Sequence, residues 1–322
     1  MREEILRRFR VIKEDSGTIG ELHFFLVDDS GEFSLKKGDV QGEAQKIISD
    51  AFMDNAIRFF DNDDLHIINL SEADNRKDAI FRYDFENALP EFTYITRLQT
   101  VEEEDYYNFK HDDISNLKGY CITYIHDNMR VTFYKQHYAV FLLDKDTSFS
   151  LKFNRTDRIE VLEDDVFRLN KSFDFIIIDG TLYVKDIDKL EKNYKFHEII
   201  KANAQRSIEA IREFGLIENI DSLTTEAEDV SFARKLIKVT QASPVLTEVD
   251  KPTLISFIKQ YSDGMLLNQL KFNETEDAII LGSKKSKKTL LKVLNDDYLE
   301  SKLTSHLYSS ATKDDVTPTI EV

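Results

Sequence analysis

Cysteine, proline, glycine and tryptophan are what this 322-residue chain has least of: one Cys, four Pro, ten Gly and no Trp. The single cysteine, Cys121, excludes an intrachain disulfide and a four-cysteine zinc site, and such usage suits a reducing compartment. With so few glycines, a Gly-rich phosphate cradle is not expected, and Gly17-Thr-Ile-Gly20 reads as a turn. The scarcity of proline leaves little material for Pro-rich linkers. Long apolar runs are missing too. The longest, YAVFLL at 138–143, falls well short of the roughly 20 residues that a membrane span needs. The N-terminus, MREEILRRFRVIKED, carries charge where a signal peptide needs an apolar stretch. The expectation is a cytoplasmic protein that reaches a membrane only through a partner.

What the chain does have is aromatic and acidic. It carries 23 Phe and 13 Tyr, enough for a packed core. The net charge of −17 comes from 60 Asp/Glu against 43 Lys/Arg, a balance that repels nucleic acid at long range unless basic residues cluster locally. The acid is unevenly spread: residues 1–117 hold 27 of the acids but only 14 of the bases. The acidic run Glu102–Asp105, followed by Asp112 and Asp113, places a domain boundary near 117. The expected layout is an acidic N-terminal α+β domain at 1–117, a second domain at 118–308 and a disordered tail at 309–322.

Periodicity fills in the elements. Residues 22–27 (LHFFLV) read as a strand followed by the turn Asp28-Asp29-Ser30-Gly31. Over 41–60, Ile47, Ile48, Ala51, Phe52, Ala56 and Phe59 recur at helical spacing. Strands are expected at 65–70, 79–85, 120–126, 133–143 and 148–153. The strongest hairpin signal is FDFIII, Asp179-Gly180, TLYV, because Asp-Gly supplies the positive φ angles of a two-residue turn. Helices are expected at 187–214 with a break near Phe196, then at 226–239 and 253–261, a strand at 278–281 and a basic helix at 284–294. The fold class is α+β, with mixed or antiparallel sheets, packed helices and two domains.

The segment FRLNKSFDFIIIDGTLYVKDIDKLEKNYKFHEIIKANAQRSIEAI (167–211) resembles the KwaB-type domain, named for the soluble component of the Kiwa antiphage defence system. The matched features are the Phe-Asp-Phe strand, the Asp-Gly turn, the Leu-Tyr-Val strand and the aromatic-rich helix that follows. Two flanking pieces are also similar: KGYCITYIHDNMRVTFYKQ (118–136) and KKTLLKVLNDDYLESKLTSHLYSS (287–310). Leu190 departs from the pattern, standing where an aromatic is expected. The likeness covers about 118–308 and implies an antiphage effector that binds duplex DNA, works with a small integral membrane protein at the inner membrane, forms a homodimer and has no cofactor and no catalytic centre.

The residues themselves offer little catalysis. A restriction-type nuclease core needs an acidic-X-Lys triplet on the strand after its Asp. Lys185 here is preceded at that spacing by Tyr183, which cannot ligate Mg²⁺ as a carboxylate does. Asp174 reads either as a buried, perturbed acid or as an outward strand residue. Asp186, Asp188 and Glu191 lack the Gly of a calcium loop and suit the first turn of a helix. No nucleophile elbow frames any serine, and the histidines lack ligand spacing.

Basic clusters remain. Lys152, Arg155, Arg158, Arg168 and Lys171 lie close in sequence, interleaved with five acids, and Arg130 and Lys135 are candidates to join them. Lys284, Lys285, Lys287, Lys288 and Lys292 stand in a stretch, 278–294, that contains no acid. A lysine-rich helix can meet DNA phosphates, acidic lipid headgroups or the acidic N-terminal third. Two rival classes stay open: an adaptor that binds protein alone, and a metal-dependent nuclease.

Overall fold

The computed structural model describes residues 1–313 apart from 75, 100–104, 109–110, 139–141, 144–150, 154–158 and 162–165. The chain forms two compact units. The first takes residues 1–67, 78–83 and 88–189; the second takes 68–77, 84–87 and everything from 190 on. The compositional step at 117 falls inside the first unit, because strands on either side of it pair in one sheet.

The first unit begins with helix α1 (Arg2–Glu14), then β1 (Glu21–Val27), β2 (Phe33–Lys37), α2 (Gly42–Phe60), β3 (His66–Asn69), β4 (Ala79–Arg82) and α3 (Pro90–Thr96). It continues with β5 (Leu117–His126) and β6 (Met129–Gln136). The short strands β7 (Leu142–Leu143) and β10 (Val166–Phe167) pair with each other, as do β8 (Leu151–Phe153) and β9 (Ile159–Val161). β11 (Phe175–Ile178), β12 (Thr181–Val184) and α4 (Ile187–Asn193) follow. An eight-stranded sheet runs in the order β2-β1-β5-β6-β11-β12-β4-β3. Asp179 and Gly180 take φ of 47° and 84°, the positive values that the Asp-Gly hairpin requires.

Aromatic side chains alternate across the pleat and fill both faces. On one face, Phe9 of α1 meets Phe133, and Phe52 of α2 meets Tyr120. On the other, Phe92 of α3 meets Tyr134 and Phe175. Each such ring, fully buried, contributes about 1.5–3 kcal/mol. The buried stripe of α2 is Phe52, Met53, Ala56 and Phe60, whereas Ile47 is exposed. Ile48 and Phe59 also pack against the core, so the helical spacing marks the inward face and Ile47 lies outside it.

The second unit is mainly helical: α5 (Phe196–Phe214), α6 (Ser222–Glu226), α7 (Val230–Gln241), α8 (Val245–Glu248), α9 (Lys251–Gln260) and α10 (Lys284–Leu294). Two small hairpins accompany them, β13 (Lys271–Phe272) with β14 (Ile279–Ile280), and β15 (Tyr298–Glu300) with β16 (Leu307–Ser309). The break expected near Phe196 is Lys195, at φ 53°. Gly215 ends α5 at φ 70°, where a Cβ is disfavoured. Asp229 caps α7 by accepting from the Phe232 N–H, and Asp250 caps α9 through the Thr253 N–H. Of the tail, residues up to 313 are pinned: Lys238 donates to the Ala311 carbonyl at 3.0 Å and Lys313 to the Asp296 carbonyl at 2.6 Å. Residues 314–322 lie outside the described ones. The α+β class expected from the sequence is the class observed.

Candidate nucleic-acid interface

In the second unit, α10 starts where Ser283 can cap it. The Ser283 hydroxyl accepts from the Ser286 N–H at 3.1 Å, and the Ser286 hydroxyl accepts from the Ser283 N–H at 3.0 Å, a reciprocal capping box. Leu290, Leu291, Val293 and Leu294 face the core. Lys284, Lys285, Lys288 and Lys292 are exposed, while Lys287 is half-buried. The expectation that no acid balances this helix needs correction. Glu226 lies 3.2 Å from Lys287 and 3.6 Å from Lys284. Among the described residues, Lys285 and Lys288 have no carboxylate partner. Lys285 also opposes the helix macrodipole, since a cation in the first turn of a helix costs a few tenths of a kcal/mol. The arrangement therefore concentrates positive potential at an exposed helix start without a stability gain to account for it.

The first unit holds the other candidates, and it separates Arg130 from Lys135. Arg130 opens β6 beside the β11–β12 turn, where its N–H donates to Asp179 at 2.9 Å and Arg8 pairs with the same carboxylate at 2.5 Å. Lys135 lies five residues further along β6, about 17 Å away and on the opposite face. It is buried and donates to Asp174 at 2.8 Å, so it presents no exposed ammonium to a phosphate. Arg168 and Lys171 are exposed on the run that leads from β10 into Phe173. Lys152 stands on β8. Arg155 and Arg158 lie outside the described residues.

Asp174 is a buried acid, held in ion pairs rather than facing out. Lys189 of α4 donates to the same oxygen as Lys135, at 2.6 Å, and the Gln136 N–H donates to the other oxygen at 3.1 Å. Next to it, the Lys185 ammonium lies over the rings of Phe59 and Phe173 at 4.5 and 4.7 Å. Burial, then the neighbouring Lys135 charge, pushes the Lys185 pKa down. Burial works against the Lys189 ammonium too, but its hydrogen bond to Asp174 together with the charges of Asp174 and Asp186 outweighs burial, and the pKa rises. The sequence pattern does not single out Lys189, and it offers Lys185 only as a nuclease lysine. A signal for Lys185 was present: in a two-residue hairpin where Ile178 faces Thr181, counting outward sets Asp174 opposite Lys185.

Other chemistries find little support in the geometry. Among the described residues, no three His, Cys, Asp or Glu side chains gather where they can hold a metal ion. Asp186 caps α4, accepting from the Lys189 N–H at 3.1 Å, and Glu191 pairs with Arg234 in the second unit. His126 bonds Asp15 and Thr18. His137 is buried and stacked on Phe167, and burial lowers its pKa.

Residues 114–304, from just before β5 to beyond β15, match the family described as Kiwa protein KwaB-like. Kiwa protein KwaB of Escherichia coli O55:H7 (strain RM12579 / EPEC) is 33% identical over 284 residues, covering 87% of this chain and 89% of that protein. No solved structure matches. Among the described residues, no helix is long and apolar enough to cross a membrane. The central strands, the Asp-Gly hairpin, the helices that follow and most of α10's surroundings all fall inside the matched region, and the chain belongs to the Kiwa protein KwaB-like family, a component of Kiwa antiphage defence.

Proposed function

We propose that this protein acts in phage defence by binding duplex DNA through its phosphates, without reading sequence and without catalysis. The observation that supports this best is α10, where Lys285 and Lys288 are exposed, with no carboxylate partner among the described residues, in a segment that contains no acid. Arg168 and Lys171, also exposed, are further phosphate contacts in this reading. The protein works as a homodimer and is held at the inner membrane by a small integral membrane partner. Both of these parts of the reading are drawn from the resemblance to the KwaB-type domain, not from any surface described above.

A mobility-shift assay on unrelated duplexes at several salt concentrations tests the reading. Affinity is expected to fall with salt by about 0.9 in log-log slope per phosphate neutralised. Replacing Lys285 and Lys288 by Glu should lower that slope by about two such contacts. No binding at low salt, or binding that ignores salt, overturns it. Degradation of plasmid DNA with Mg²⁺ or Mn²⁺ that stops in the Asp179→Asn variant would replace it with a nuclease. The excess acid of residues 1–117 favours a second reading, an adaptor that docks the basic face of a membrane protein and binds protein alone. Co-purification that survives the Lys285 and Lys288 changes, from a chain that never shifts DNA, would select the adaptor.

A further inference from the structure

Lys135, Asp174 and Lys185 form one row across β6, the approach to β11 and the end of β12. The Asp174 N–H donates to the Tyr134 carbonyl and the Lys185 N–H to the Asp174 carbonyl, which fixes the three in register. Their side chains share the face that packs on α2, and Lys189 reaches into the row from α4. Three ammonium groups thus meet one buried carboxylate. Two of them already share a single oxygen of Asp174. Among the described residues, the other acid close by is Asp186, 3.4 Å from Lys189. Lys185 has no carboxylate partner among the described residues and sits on two phenyl faces instead.

Nothing in the packing calls for a charge there. A methionine of similar length would cover Phe59 and Phe173 without the cost of holding a half-buried ammonium beside two others. Cation–π contact recovers only about 0.5–2 kcal/mol of that cost. Among the described residues the row is short of negative charge, and an anion that touched Lys185 would supply it. We propose that Lys185, backed by Lys189 and Lys135, receives the phosphate group of a ligand. Lysine ammoniums suit this as point-charge donors to phosphate oxygens. The depressed pKa of Lys185 fits a cation waiting for its counter-charge. The site belongs to the first unit and is independent of α10, which the DNA-binding reading rests on.

Thermal unfolding of the full chain with sodium pyrophosphate, against chloride at matched ionic strength, tests the site. A saturable rise in the midpoint is expected with pyrophosphate alone. Lys185→Met should abolish it while unfolding in chloride no lower than the unchanged protein, which confirms that the variant folds. Lys189→Gln should weaken it about tenfold, the loss of one charge-assisted hydrogen bond. Lys288→Glu should leave it unchanged, so failure of the α10 reading and failure of this site are separable. An equal rise in chloride, or a Lys185→Met variant that titrates like the unchanged protein, overturns the proposal. Duplex DNA identifies the source of the phosphate. If Lys185→Met weakens DNA and pyrophosphate alike, the group belongs to a DNA backbone; if it weakens pyrophosphate alone, the ligand is a free phosphate compound.

Discussion

Replacing Asp174 by Asn removes one charge and almost no volume, and its cost is set by what surrounds the carboxylate. Lys135 is 7% exposed and Asp174 2%, so neither has water to turn to. Breaking a buried pair by neutralising one partner typically costs about 3–5 kcal/mol, because the remaining charge stays buried and uncompensated. Here two ammonium groups lose the negative charge they share, and Lys185 loses the nearest negative charge that offsets its neighbours. The upper part of that range is expected, a large share of the roughly 5–15 kcal/mol that holds a typical domain folded. The chain has no Trp, so urea unfolding is best followed by far-UV circular dichroism or tyrosine emission. Adding Lys135→Met to Asp174→Asn should recover most of the loss, since an apolar group of similar length replaces the orphaned cation. A single-variant cost under about 1 kcal/mol, or a double variant no more stable than Asp174→Asn, would refute the assignment of the row as a coupled buried network.

Three further outcomes follow from the packing and the charges. A Cβ on Gly119 would lie 2.3 Å from the Tyr134 ring, which is fully buried among Phe25, Phe92 and Phe175 and cannot retreat. Gly119→Ala should therefore cost about 1–3 kcal/mol in urea, with recovery when Tyr134 is shortened to Leu. Asp229→Ala removes the cap of α7 and should cost about 1 kcal/mol, read from the urea midpoint. Acid should destabilise the first unit in a defined window. Hydrogen bonds from Arg7 and Arg8 hold the Glu4 pKa down at about 2, from an ordinary 4.5, and the Ser30 side chain and turn N–H groups lower Asp28. Because these pKa values are lower folded than unfolded, the unfolded chain takes up protons first. The stability they contribute is complete above about pH 5 and is lost as pH falls through 4 toward 2. Thermal midpoints measured across that range check the sign, and a midpoint that rises on acidification contradicts it.

Much of the fold was legible where it depended on near neighbours. Asp179-Gly180 marks its hairpin because two positive φ angles in succession suit few other pairs. The bounds of α10 follow from Ser283 and the apolar stripe behind the lysines. Helix α1 was hidden because charges crowd the gaps between Ile5, Leu6, Phe9 and Ile12, so the segment reads as polar. The pairing of β1 with β5, and of β4 with β12, leaves no periodic trace, since each joins segments far apart in sequence. That is why the change in composition at 117 looked like a domain boundary and lies within one sheet. At the site, the exposed lysines of α10 were readable as a run without acid. Lys135 was not readable as buried, because alternation says which residues share a face but not which face is covered.

The order of strands has a consequence for how the protein is made. Everything before β5 builds the margins of the large sheet, β2-β1 on one side and β4-β3 on the other, and none of its middle. A nascent chain that has delivered β1 waits for β5, and one that has delivered β4 waits for β12, each on the order of a hundred residues later. At about 5–20 residues per second, that is several seconds or more with strand edges unpaired. Such edges are ready templates for other chains. The acidity concentrated in the first third then gains a purpose beyond any partner: like-charged segments on neighbouring ribosomes repel one another until the central strands arrive to close the sheet.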